Sequence, residues 1–237
     1  MEAEAKPFVE YLGLKETTDY FPEQVPFCAF VGEYEGCKVT VATNGKDSVY
    51  KTGVDNAGTV PASLVTFLAL QKNPTTDLVL NAGTCGGFKR MGGEIGNVYL
   101  TSAVANHDRR IPIPPFIPYG IGKLESTATP ALLAAHPDYF KTGVCTTGNS
   151  LDKTDEDDKH MIANEASCKD MEAAAIAWSC NLFDVPYLGI KVVTDIVDGD
   201  KPTQEEFMEN LGKAAKSLQE ALPKVIAHVC GKTIGEL

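Results

Sequence analysis

Long apolar runs are absent from this chain of 237 residues. No stretch approaches the roughly 20 residues that a membrane-spanning helix needs. The opening MEAEAKPFVEYLGL is acidic and lacks the basic, then apolar, pattern of a secretory signal. Basic charge is also scarce: 21 Lys+Arg stand against 32 Asp+Glu, a formal net charge of -11. A nucleic-acid binder needs a basic face to release phosphate counterions, so the balance argues against that class. Paired cysteines are missing too. The seven (Cys28, Cys37, Cys85, Cys145, Cys168, Cys180 and Cys230) are odd in number and contain no C-x-x-C, and the four histidines are isolated. Such spacing speaks against a disulfide framework and a structural zinc site. The expectation is a soluble, cytoplasmic protein that needs no metal and no cofactor and meets neither membrane nor nucleic acid.

What is present is ordinary globular composition, 43% apolar and 22% charged, in a length that suits one α/β domain. Short, partly β-branched runs bounded by Gly, Asn or Pro predict strands within 26–36, 38–45, 77–83, 97–105 and 186–195. Helical stretches lie at 61–73, 169–183 and 204–230. Strands alternating with helices of this length predict a single α/β domain over 1–237, a three-layer α/β/α sandwich around a mixed sheet. No linker tract or internal repeat interrupts it. The segment from Ile111 to Gly120, IPIPPFIPYG, stands apart: four prolines in ten residues predict a stiff extended loop rather than a helix. Its apolar side chains either tuck over the chain's own core, or dock on a partner subunit or lid a pocket.

Three places could carry chemistry. In LVLNAGTCGGF (78–88) a strand runs into Gly83-Thr84-Cys85-Gly86-Gly87, where small residues would let backbone N–H groups approach a ligand. The spacing matches neither the P-loop nor the dinucleotide fingerprint, and a tight turn packing on a helix is the plain alternative. Lys169-Asp170-Met171-Glu172 opens an apolar helix; Glu172 either complements the helix dipole or points into a cavity to take a hydroxyl or proton. The apolar strand YLGIKVV leads through Thr194 to Asp195, and a carboxylate desolvated at a strand's end is raised in pKa towards acid work. Asp198 and Asp200, flanking Gly199, fit turn positions. Glu2 and Glu4, read alone, are solvated terminal acids.

Together, MEAEAKPFV, AGTVPASL, NAGTCGGF, HDRRIPIP, TGNSLD, KDMEAAAIA and VTDIVDGDKPT resemble the nucleoside phosphorylase/nucleosidase superfamily, most closely the plant-type 5'-methylthioadenosine/S-adenosylhomocysteine nucleosidases. The blocks span nearly the whole chain in the family's order. The resemblance implies a nucleoside phosphorylase-like fold and hydrolysis of an N-glycosidic bond in methionine salvage. Asp195 would be the general acid that protonates adenine N7, so that a neutral purine leaves an oxocarbenium-like ribose. Glu4 would orient and deprotonate the attacking water, and Glu172 would accept hydrogen bonds from the ribose hydroxyls. Met171 would pack beneath the sugar, with Thr84 near water and ribose, and Cys85 and Gly86 beside the base. Leu151 and Asp152 would offer backbone groups to the adenine edge, and Thr194, Lys191 and Ile111 complete the implied substrate contacts. The segment after His107-Asp108 would build a homodimer interface at 111–120 and part of the partner's 5' pocket.

Asn81 stands where phosphorylases of the superfamily carry a phosphate-binding Arg, which favours water as the nucleophile. A phosphate-dependent phosphorylase is the alternative within the enzymes; a catalytically silent storage-type relative is the alternative outside them. The apolar 111–120 segment leans towards a methylthio substituent over a homocysteine tail. In the family an apolar strand precedes the M-x-x-E motif, whereas this chain opens at the Met, so a domain lacking that strand and a fraying Glu4 are expected. Asn149 replaces a common Asp, so bonding beneath the base should differ, and Lys191 replaces the bacterial Arg.

Overall fold

The computed structural model describes residues 1–237. Helix α1 (Glu2–Leu12) leads into a small antiparallel sheet of β1 (Lys15–Glu16), β2 (Cys28–Tyr34) and β3 (Cys37–Thr43). The β2–β3 hairpin turns on Glu35 and Gly36, at φ 51° and 79°. Two successive positive φ values are the type I′ geometry that matches strand twist. There follow α2 (Thr59–Lys72), β4 (Val79–Gly87), β5 (Val98–Asn106), α3 (Ile117–Ile121), β6 (Leu124–Glu125), α4 (Pro130–Ala135), β7 (Phe140–Thr147) and α5 (Asp155–Ala163). The chain ends with β8 (Ala166–Asp170), α6 (Ala173–Leu182), β9 (Tyr187–Ile196) and α7 (Thr203–Val229).

The six-stranded sheet has the order β6-β5-β7-β8-β4-β9, and β5 also pairs with β9. The expected mixed sheet with helical cover is present: β5–β7, β7–β8 and β4–β9 are parallel, β4–β8, β5–β9 and β5–β6 antiparallel. Its shape differs from an open middle layer. One edge of β5 gives Val98–Leu100 to β9 and Ala103–Val104 to β6, so the sheet curls round into a barrel-like ring. Three single-residue register shifts help it close: Ser102 in β5, Ser167 in β8 and Thr194 in β9 each have no opposite partner. An extra residue bends a strand and increases its twist.

Apolar side chains fill both sides of this wall. On one, Leu188, Ile190 and Val192 of β9 meet Phe8, Val9 and Leu12 of α1 and Leu218, Leu222 and Val225 of α7. On the other, Tyr99, Val104, Cys145, Cys168 and Val193 pack with Ala173, Ala174 and Ala177 of α6. Cys85, Cys145, Cys168 and Cys180 are buried free thiols, acting as small hydrophobes.

Three local expectations need correction. The helix expected from Lys169 starts at Ala173, because Lys169 and Asp170 finish β8 and the Asp170 carboxylate accepts the Ala173 N–H at 2.8 Å as its cap. Gly83–Gly87 is not a turn but the last part of β4, kept extended by pairing with β9 on one edge and β8 on the other. Finally, 111–120 is not wholly extended. A 3₁₀ turn at Pro114–Phe116 runs into α3, with Pro118 in the first helical turn, where a missing N–H costs nothing.

Ile190 is fully buried, and its strand neighbours are Ala82 of β4 and Leu100 of β5. Ile190→Ala should therefore cost about 2–5 kcal/mol, seen as a lower urea midpoint at unchanged slope. A loss below about 1 kcal/mol would show that the ring does not depend on β9 packing.

Candidate active site

At the C-terminal end of β9 the ladder with β4 passes from Cys85 opposite Val193 to Gly86 opposite Asp195, leaving Thr194 as the extra residue. That bulge aims the acid. The Thr194 hydroxyl lies 2.7 Å from Asp195 Oδ1 and 3.1 Å from the Cys85 carbonyl. Gly86 leaves the room: a Cβ there would stand 2.7 Å from Asp195 Oδ2. Burial pushes the Asp195 carboxyl above its usual range, the Thr194 hydroxyl and the Lys169 ammonium pull it down, and Glu206 pushes it up again.

Glu172 is the residue before α6 and makes no cap bond of its own. The capping is done by Asp170, whose carboxylate also accepts the Thr147 hydroxyl at 2.6 Å and lies 2.8 Å from the Lys191 ammonium. Relieved of that work, Glu172 accepts the Gly58 N–H at 2.7 Å. Burial first, and the Asp170 charge second, raise its pKa. Burial opposes the Lys191 charge as well, but Asp170 holds that ammonium's pKa well above its ordinary value. Lys191, expected among the substrate contacts, thus commits its ammonium to a structural partner while its side chain still lines the cavity.

Glu4 arrives from α1. Its Oε1 accepts the Thr84 N–H at 2.8 Å, and its other oxygen faces the Met1 ammonium. No strand precedes α1 within residues 1–237, yet Glu4 is anchored rather than loose, because β4 presents a backbone donor to it.

One cavity of about 1170 Å³ collects these groups. Glu4, Thr84, Cys85, Gly86, Leu151, Met171, Glu172, Lys191, Thr194 and Asp195 all line it, and it continues between β3 and β4, which share no ladder. Asp152 and Ile111 are not on its wall. Sequence reasoning gave no role to two contributors, Gly58 and Lys169, and marked a third, Asn149, only as a replaced Asp beneath the base. Gly58, at φ 97°, brings its N–H to Glu172. Asn149 joins the start of α2 to the 107–111 turn, its side-chain oxygen accepting from the Thr59 N–H and its own N–H donating to Asp108. Lys169 is one of two charged residues in β8, whose other members are Ala, Ser and Cys.

The buried Asn81 lines the cavity and no arginine does. All three arginines are engaged elsewhere: Arg90 with Asp158 and Asp198, Arg110 with Asp157, and Arg109 with the Tyr119 and Gly120 carbonyls. A bidentate guanidinium grip on phosphate is therefore missing from this chain's cavity.

The sequence profile described as the phosphorylase superfamily matches residues 1–227. The chain belongs to that superfamily. Within it, the chain is 44% identical over 238 residues to the 5'-methylthioadenosine nucleosidase of Arabidopsis thaliana, covering 100% of this chain and 87% of the relative. It is also 44% identical over 241 residues to the 5'-methylthioadenosine/S-adenosylhomocysteine nucleosidase of that plant, covering 100% and 92%. The solved apo structure of the Arabidopsis 5'-methylthioadenosine nucleosidase superposes with a TM-score of 0.96 at 44% identity, over 100% of this chain and 96% of that one.

A carboxyl whose pKa is raised in this superfamily fold weakens the fold as it ionises. The advantage of the protonated form is complete below the unfolded pKa, about 3.9 for Asp, and is lost as pH rises through the folded value. Asp195→Asn, which cannot ionise, should therefore melt above the wild type at pH 7, with the gap narrowing towards pH 4. Parallel melting curves across that range would sink the assignment of a raised pKa.

Proposed function

We propose that this chain hydrolyses the N-glycosidic bond of 5'-methylthioadenosine, releasing adenine and methylthioribose. The observation that carries the reading is the convergence of Glu4, Glu172 and Asp195 on one cavity from α1, the start of α6 and the end of β9. In this mechanism Asp195 gives its proton to adenine N7. Pulling electrons out of the glycosidic bond then yields a neutral leaving group and an oxocarbenium-like ribose, the logic of glycoside hydrolysis. Burial raises the acid's pKa towards the range in which it can give a proton to a basic nitrogen of the substrate. Glu172 accepts from the ribose hydroxyls in place of, or beside, the Gly58 N–H, over Met171. Glu4, steadied by the Thr84 N–H, takes the proton from the incoming water, with the Thr84 side chain next to it. Cys85 and Gly86 flank the base, and the Leu151 backbone reads its edge.

Adenine release from 5'-methylthioadenosine should proceed at the same rate with and without phosphate, since no arginine lines the cavity. Methylthioribose is the expected co-product by chromatography. A rate that requires phosphate would make the protein a phosphorylase; no release in either buffer would favour a silent relative.

The working unit we infer is a cytoplasmic homodimer of this single domain. Val60, Leu64 and Phe67 of α2 share one helix face and are exposed, as are Trp178 and Leu182 of the adjoining α6. Ile113, Phe116, Ile117 and Tyr119 of the proline segment are exposed as well. Asn149 ties the start of α2 to Asp108 at the foot of that segment, so the two apolar surfaces are joined through one side chain. A partner covering them would bring its own Ile111 segment to the 5' end of the nucleoside and favour a methylthio group there. Gel filtration should show a dimer, and Leu64→Asp with Phe67→Asp should give monomers whose turnover falls about tenfold or more, through the loss of that closure. An active monomer would contradict the dimer.

A further inference from the structure

Residues 150–152, between β7 and α5, carry the stretch assigned above to the adenine edge. No backbone–backbone hydrogen bond reaches Ser150 or Leu151. Their only hydrogen bonds come from one side chain: the Lys169 ammonium donates to the Ser150 carbonyl at 2.6 Å and to the Leu151 carbonyl at 2.9 Å. Lys169 itself is buried, in the strand that pairs with Gly86, and lines the same cavity as Leu151 and Asp195.

We propose that Lys169 is the positioning residue of the purine side of this site, pinning residues 150–151 against β8 while holding a positive charge beside Asp195. The proposal rests on reading Asp195 as the N7 acid. When that acid transfers its proton, the N7–H bond forms, the glycosidic electrons leave with the purine, and a carboxylate remains in a buried place. An adjacent ammonium offsets that charge, so the same group that orders the base-binding loop makes proton transfer easier. Burial lowers the Lys169 pKa, and Asp195, Asp170, Asp152 and Asp157 oppose that fall. His107 faces Lys169 from the end of β5 and is kept neutral there, its pKa pushed down to about 4 by burial and by the ammonium. Asp195 lies across Gly86 from Lys169, and Thr194, Lys169 and Glu206 are the polar groups that shift it.

Two variants separate the loop from the charge. Lys169→Met removes both the donors and the cation; KM for 5'-methylthioadenosine should rise and kcat fall about tenfold or more, a part of what positioned proton transfer contributes. Without the cation, Asp195 stays protonated to higher pH, so the alkaline limb of kcat/KM should move upwards. Lys169→Gln keeps a donor without charge; KM should stay near that of the wild type while the alkaline limb moves as in the Met variant. If Lys169→Met does not fold, the Gln variant alone decides on its pH limb. A purely structural lysine would lower the melting temperature and leave KM and the limb unmoved, and that result in a folded variant overturns the proposal. Wild-type protein that releases no adenine would instead overturn the reading of Asp195, and this inference with it.

Discussion

The buried ion pair between Lys191 and Asp170 is the constraint on which the site depends. It joins the middle of β9 to the end of β8, and the same carboxylate receives the Thr147 hydroxyl of β7 and the first free N–H of α6. Thr147 in turn accepts the Ala174 N–H at 2.9 Å. Three strands and a helix start are thus fixed by one Asp. Two opposite charges in so dry a place are tolerable because they pair with each other and the carboxylate takes two further donors; either alone would be an uncompensated buried charge. Because Asp170 does the capping, Glu172 two residues on is free to face the cavity. Because Lys191 is held back, its ammonium stands beneath Gly83 without reaching over the acid, 3.8 Å from where a Cβ there would lie.

Around that anchor, the missing side chains matter as much as those present. Gly86 makes room for Asp195, and Gly87 for Val193, since a Cβ on either would press within 3 Å of its neighbour. At Gly143 of β7 a Cβ would meet the Ser167 side chain at 2.2 Å, at the very residue that bulges β8. A ring of strands this tight needs small residues wherever a bulge turns a side chain inwards.

How far this was legible in the amino-acid order depends on the element. The apolar β2, β4, β5 and β9 and the long amphipathic α7 carry their periodicity openly. β7 (FKTGVCTT) and β8 (ASCKD) do not, because their inward positions are Gly, Ser, Thr and Cys, chosen for room rather than hydrophobicity. Missing those two strands also hid the closure, since an open sheet and a ring differ only in which edges meet. Of the site, Asp195 could be placed at a strand end from pattern alone. Glu4 could not: an acid near an N-terminus is ordinarily solvated, and only family likeness pointed to it. Gly58 was invisible and Asn149 stood out only as a replaced Asp, because their value lies in backbone and amide groups brought together by α2, a contact with no signature in sequence spacing.

Glu4 and Asp195 are separated by 190 intervening residues, and the helix that bears the first packs against the helix that follows the second. Their meeting has a temporal meaning. During synthesis the helix that carries Glu4 must wait, its apolar face uncovered, until β9 has left the ribosome and α7 has followed. A nascent chain that ends before β9 holds Glu4 and Glu172 but not Asp195, so the three cavity carboxylates come together only in a late event. Long-range closure of this kind is slow to nucleate; a chain cut short before β9 therefore never assembles the three carboxylates in one cavity.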